Sequence, residues 1–141
     1  MMKHHKKITS LLVYLVILAN ILNASFWFVM IYPFKVVEIN SVEILTPEVR
    51  PGELVRYKVN FCKYWNVSGE AQRVLVNHFE YFLSSSTQNQ KGKGCHETTV
   101  SVPVPSYVEA GDYEVHNYLK HKIFGIRTIE TFYQTGIFKV I

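Results

Sequence analysis

The chain has 141 residues, with Lys+Arg 15 against Asp+Glu 11 and a formal net charge of +4. Beyond a short leader its basic residues are scattered among acids, which leaves no basic block of the kind that a nucleic-acid binder needs. With the apolar N-terminal stretch set aside, about 105 residues remain, enough for one domain with one core.

The leader, residues 1–7, carries Lys3, Lys6 and Lys7 interleaved with His4 and His5. Ile8–Phe34, ITSLLVYLVILANILNASFWFVMIYPF, has no charged residue. A bilayer core about 30 Å thick needs roughly 20 apolar helical residues. The expected organisation is therefore a cytoplasmic leader (1–7), a transmembrane anchor (8–34) and a domain over 35–141. Positive residues stay cytoplasmic, so the expected topology is single-pass in the cell (inner) membrane, N-terminus inside and C-terminal domain outside. A cleavable signal peptide is the competing reading. Two features oppose it. The apolar run continues through Phe26–Ile31, and the small-residue cleavage sites are poor, since Leu22 precedes Ala24 and Ile17 precedes Ala19 by two. Trp27 and Tyr32 suit the outer interface.

Asn20 and Asn23, three apart, share a helix face. Amides in hydrocarbon are costly unless bonded, which points to a contact with another transmembrane helix or a second copy; Ala19, Ala24 and Ser25 permit close approach. The plainer reading is two tolerated amides.

After Pro33 the pattern has period two with β-branched and aromatic enrichment, which predicts strands. Lys35–Thr46 holds Val37 and Ile39, then Val42 and Ile44, so the inward parity switches at Asn40-Ser41, as at a bulge or where a strand crosses between sheets. Pro47–Gly52 reads as a turn. In Glu53–Trp65, Val55, Tyr57, Val59 and Phe61 face one way. Asn66–Gly69 is a loop, and Gln72–Leu83 an aromatic-rich strand. Ser84–Gly94, without an apolar residue, reads as a mobile loop. His96–Val104 alternates through its valines, and Asp112–Ile123 through Tyr113, Val115, Leu119 and Ile123. Arg127–Ile141 reads as a last strand bulged near Gly136. No run beyond the anchor looks helical. About seven strands of this kind predict an all-β sandwich behind one N-terminal transmembrane α-helix.

Glu109-Ala-Gly111-Asp-Tyr113-Glu-Val115 resembles the corner before strand F of immunoglobulin-like domains, with Val115 where that family has cysteine. Thr46–Val59, followed by Asn66-Val-Ser-Gly69, is similar to extracellular bacterial immunoglobulin-like modules. The resemblance implies an immunoglobulin-like β-sandwich and a tyrosine corner in which the Tyr113 hydroxyl bonds nearby backbone. The family's strand C tryptophan is absent, Trp65 falling in the preceding loop, and so is its B-to-F cysteine pair. Such a scaffold hosts many roles.

Cys62 and Cys95, an even count in an extracytoplasmic domain, suggest one disulfide. In the family's arrangement strands B and E are antiparallel neighbours, which sets the end of B, Cys62, beside the start of E, Cys95. Free thiols and a metal site are the alternatives; two cysteines alone fall short of the four ligands of zinc.

No catalytic constellation is expected. His78, His96, His116 and His121 spread over at least three strands, and no G-x-S-x-G or H-E-x-x-H context supports a site. No cofactor and no metal are expected. Asn66-Val67-Ser68 is a glycosylation pattern that reads first as loop chemistry. The leading expectation is a non-enzymatic protein-binding module. Recognition would run through the loops Tyr64–Glu70 and Ser84–Gly94 or through a sheet edge, with Tyr64 and Trp65 as the contact. Those two aromatics could equally cap the core or rest on the membrane. The alternative function is a structural subunit of a membrane complex docking through Asn20 and Asn23; a surface enzyme is the remote third.

Overall fold

The computed structural model describes residues 2–78, 80–87 and 92–141, with side chains over 8–78 and 92–141. It divides into two compact units, 1–34 and 35–141.

The first unit is one helix, α1 (Met2–Ile31). Straight-chain and branched aliphatics dominate it, no glycine interrupts it, and it stops ahead of Pro33, which disfavours helical backbone at the residue before it. Ile8–Ile31, 24 residues, is long and apolar enough to cross a membrane. At 1.5 Å per residue that is about 36 Å. The Asn20 side-chain amide donates to the Val16 carbonyl at 2.8 Å, and the Ser25 hydroxyl to the Ile21 carbonyl at 2.8 Å. Both polar groups are thus turned back onto their own helix.

The second unit is two sheets. One holds β1 (Val37–Ile44), β3 (Leu54–Lys63) and β6 (Gly94–Pro103), antiparallel in the order β1-β3-β6. The other holds β2 (Glu48–Val49), β4 (Gly69–Val76), β5 (Glu80–Thr87), β7 (Gly111–Ile123), β8 (Arg127–Gln134) and β9 (Phe138–Val140). Its order is β2-β9-β7-β4-β5, with β8 also paired to β7. Val55, Tyr57, Val59 and Val102 of the first sheet are buried, as are Ala71, Leu75, Val115 and Leu119 of the second. The period-two alternation puts these residues on facing sides, and the shared core lies between the sheets.

The parity switch in β1 is a bulge. Ile39 pairs with Phe61 and Ser41 with Asn60, so Asn40 is the extra residue, and Val42 then sits opposite Val59. A second irregularity breaks the strand after Arg127. His116 pairs with Gln134, but Tyr113 pairs with Phe138, so the β8–β9 side carries one extra residue around Thr135–Gly136. Thr135 stitches the gap. Its hydroxyl accepts from the Val115 N–H at 3.0 Å and donates to the Gly136 carbonyl at 2.9 Å, and its own N–H donates to the Val115 carbonyl at 3.0 Å.

Three expectations need correcting. Gln72–Leu83 is not one strand but parts of β4 and β5, paired antiparallel with Val76 opposite Glu80. Residues 84–87 of the expected loop belong to β5, Gly94 opens β6, and 88–91 lie outside the described residues. Within the expected turn at Pro47–Gly52, Glu48 and Val49 form β2, which pairs parallel with β9. Main-chain bonds from the Lys139 N–H to Pro47 and from the Ile141 N–H to Val49 hold it there.

Candidate functional site

The outward face of the second sheet is built by the even-numbered residues of β4, β7 and β8. Register sets them in rows: Glu70, Lys120 and Glu130; then Gln72, Tyr118 and Phe132; then Val74, His116 and Gln134. Alternation leaves these side chains pointing away from the core. Phe132 is 49% exposed. Its ring meets His116 edge-on with centroids 5.3 Å apart and Tyr118 at 5.2 Å. The His116 ring lies 3.3 Å from the Glu114 carboxylate. Beyond it opens a groove of about 320 Å³ between Asn77, Asp112, Glu114, Gln134 and Ile137. An aromatic centre with a charged rim is the composition of a protein-contact surface. Neither the centre nor the groove was singled out by sequence reasoning. Phe132 alternates with charged and polar neighbours, and only the register across three strands assembles the patch.

Tyr64 and Trp65 stand at one end of the domain but do not act together. The Tyr64 hydroxyl donates to Glu38 at 2.5 Å, and Glu38 also meets the Lys35 ammonium at 2.6 Å. These bonds hold the Glu38 carboxyl below its ordinary pKa, chiefly through Lys35, and raise both Lys35 and Tyr64. Trp65 instead packs edge-on against Phe124, centroids 5.5 Å apart. Phe124 and Gly125 both have positive φ, 50° and 68°, and the Ile126 N–H donates to the Ile123 carbonyl at 3.2 Å. That is a tight turn with left-handed backbone at both central positions, the first of which favours Asn or Gly, inside a three-residue connection between Ile123 and Arg127. A phenylalanine there costs about 1 kcal/mol of backbone strain.

Inside the domain lies a polar cluster on inward positions. The Tyr57 hydroxyl donates to Asn117 Oδ1 at 2.7 Å, and Asn117 Nδ2 donates to the Val115 carbonyl at 3.2 Å. Arg73 and Tyr133 neighbour the same Tyr57 hydroxyl, and burial raises both tyrosines above their ordinary pKa. His121 is fully buried further along β7, and among the described residues neither ring nitrogen has a hydrogen-bond partner. Burial, reinforced by Lys63, lowers its pKa. A Cβ on Gly69 would fall 2.4 Å from His121 Nε2, so only glycine lets β4 pass this ring.

Cys62 and Cys95 face each other in register across β3 and β6 and are joined as a disulfide. The Tyr113 hydroxyl donates to the Glu109 carbonyl at 2.9 Å. His96 contacts the Gly92 carbonyl on the first sheet, His116 faces out of the second, and His121 points inward. These three histidines therefore share no cleft. Among the described residues no group of three or more His, Cys, Asp or Glu is placed to hold a metal ion.

No protein-family model matches the chain, and no curated protein matches it. Solved structures do. The C-terminal domain of Wzt is similar with a TM-score of 0.54 and 10% identity, over 77% of this chain and 75% of its own. Spo0M, the sporulation control protein from Bacillus subtilis, matches with a TM-score of 0.32 and 13% identity, over 72% of this chain and 49% of its own. The first likeness is one of β-rich fold.

Proposed function

We propose that this protein is a single-pass, membrane-anchored, non-enzymatic binding module. Its immunoglobulin-like sandwich stands outside the cell membrane and takes a protein partner on the outward face of the second sheet. The observation that carries the binding role is the half-exposed Phe132 between His116 and Tyr118, beside an open groove. Three features support the immunoglobulin reading. The two sheets pair as A-B-E and A′-G-F-C-C′ would, the first strand's continuation joins the last strand in parallel, and Tyr113 closes its corner on Glu109. The basic leader ahead of a span-length helix supports the orientation, and the cysteine pair agrees with an oxidising compartment.

A photocrosslinking residue in place of Phe132, irradiated in native membranes, tests this. One discrete protein adduct, lost when Tyr118→Ala is added, is the expected result. Absence of any adduct at Phe132 from correctly folded, disulfide-bonded protein contradicts it. The alternative function, a structural subunit docking through Asn20 and Asn23, loses part of its rationale because the Asn20 amide is already bonded within its helix. Extraction in mild detergent separates the two, a monodisperse monomer favouring the binding module and a stable larger assembly the subunit.

A further inference from the structure

Charge and exposed aromatics are distributed unevenly along the strands. At the end where β1 begins, β3 finishes and β7 turns into β8, the exposed cations are Lys35, Lys93 and Lys122, with the half-exposed Arg127 beside them. Glu38 lies there too, and one residue further in along the second sheet comes the row Glu70, Lys120 and Glu130. At the opposite end Glu48, Glu53, Glu109 and Asp112 outnumber Arg50 and Lys139. The basic end also projects the hairpin tip, where Phe124 is 58% and Ile126 52% exposed, braced by Trp65. Phenylalanine occupies the turn position where asparagine or glycine would sit without strain. So exposed a ring adds little to the core. Exposed apolar groups occur at the far end too, Tyr107 and Ile137 among them, but they lie among acids that an anionic surface repels.

The basic end is also where the chain enters the domain. Five residues, 32–36, separate the end of α1 from the start of β1, and fully extended they reach about 20 Å. If α1 spans a bilayer, that tether holds this end of the domain within reach of the headgroups. We infer that the Phe124-Gly125-Ile126 tip, with Trp65 behind it, inserts into the interface of the bilayer that α1 crosses. Lys35, Lys93, Lys122 and Arg127 lie against its anionic phospholipid headgroups. Aromatic rings at headgroup depth flanked by cations are the chemistry of such an interface. This inference rests on the anchor reading proposed above.

Full-length protein with single tryptophans, reconstituted into bilayers containing anionic phosphatidylglycerol, tests it by quenching from brominated acyl chains. Three probes suffice: native Trp27 alone (Trp65→Phe), Phe124→Trp in a Trp27→Phe, Trp65→Phe background, and Tyr107→Trp in that background. The expected result is quenching of about twofold or more at positions 27 and 124, and none at 107. Quenching at 27 but not at 124 overturns the tip insertion and leaves the anchor standing. Quenching at 107 as strong as at 124 overturns the assignment of the contact to the hairpin tip. No quenching at 27 overturns the anchor and this inference with it.

Discussion

Thr135 and His121 show how single polar residues constrain this domain in opposite ways. Thr135 replaces a missing ladder bond at the β8–β9 bulge, its hydroxyl taking the Val115 N–H. Thr135→Val keeps the shape and leaves that buried N–H unmet, a loss of about 1–3 kcal/mol measurable from the urea midpoint. His121 is buried without a polar partner among the described residues, and its lowered pKa follows from that burial and from Lys63. The unfolded chain takes up the imidazole proton near the ordinary value of about 6.5, the folded chain at lower pH. Stability from this group is therefore complete above about pH 6.5. It falls as pH drops below that, by at most about 1.4 kcal/mol per unit, until the folded-state pKa is reached. His121→Leu should flatten that decline between pH 7.5 and 5. A decline as steep as in the parent protein would assign it to other groups.

The disulfide works at the level of elements, because the 33-residue separation between Cys62 and Cys95 contains all of β4 and β5. Both ends lie in the first sheet, so the bridge closes a loop that dips into the second. Cys62→Ser with Cys95→Ser should destabilise by about 3–4 kcal/mol, read from denaturant midpoints without reductant. Some of this architecture was legible in residues. The switch from Val37 and Ile39 to Val42 and Ile44 located the β1 bulge, and Gly136 marked the second one. Other parts were not. The aromatic run through His78–Phe82 hid the break between β4 and β5, since no Gly or Pro punctuates it. A two-residue strand such as β2 has no period to read. Asn117 and His121 hold inward positions of β7, yet as polar residues they drew no core assignment. For the candidate site, Tyr64 and Trp65 were visible as a pair, but their division between Glu38 and Phe124 depends on strands distant in sequence.

At the scale of the whole molecule, one span-length apolar helix precedes a two-sheet domain whose charge is polarised along its strands. The proposed anchor, the proposed extracytoplasmic setting of the disulfide and the proposed partner-facing sheet form one account, and its central claim is the compartment of the domain. The decisive measurement is the intact mass of protein taken from its native membrane and alkylated with and without prior reduction. The account predicts the mass of the whole 16.4 kDa chain, with two thiols that alkylate only after reduction. Two freely alkylating thiols on the whole chain would place the domain in a reducing compartment and contradict the topology. A mass lacking roughly the first 25 residues would replace the anchor with a cleaved signal.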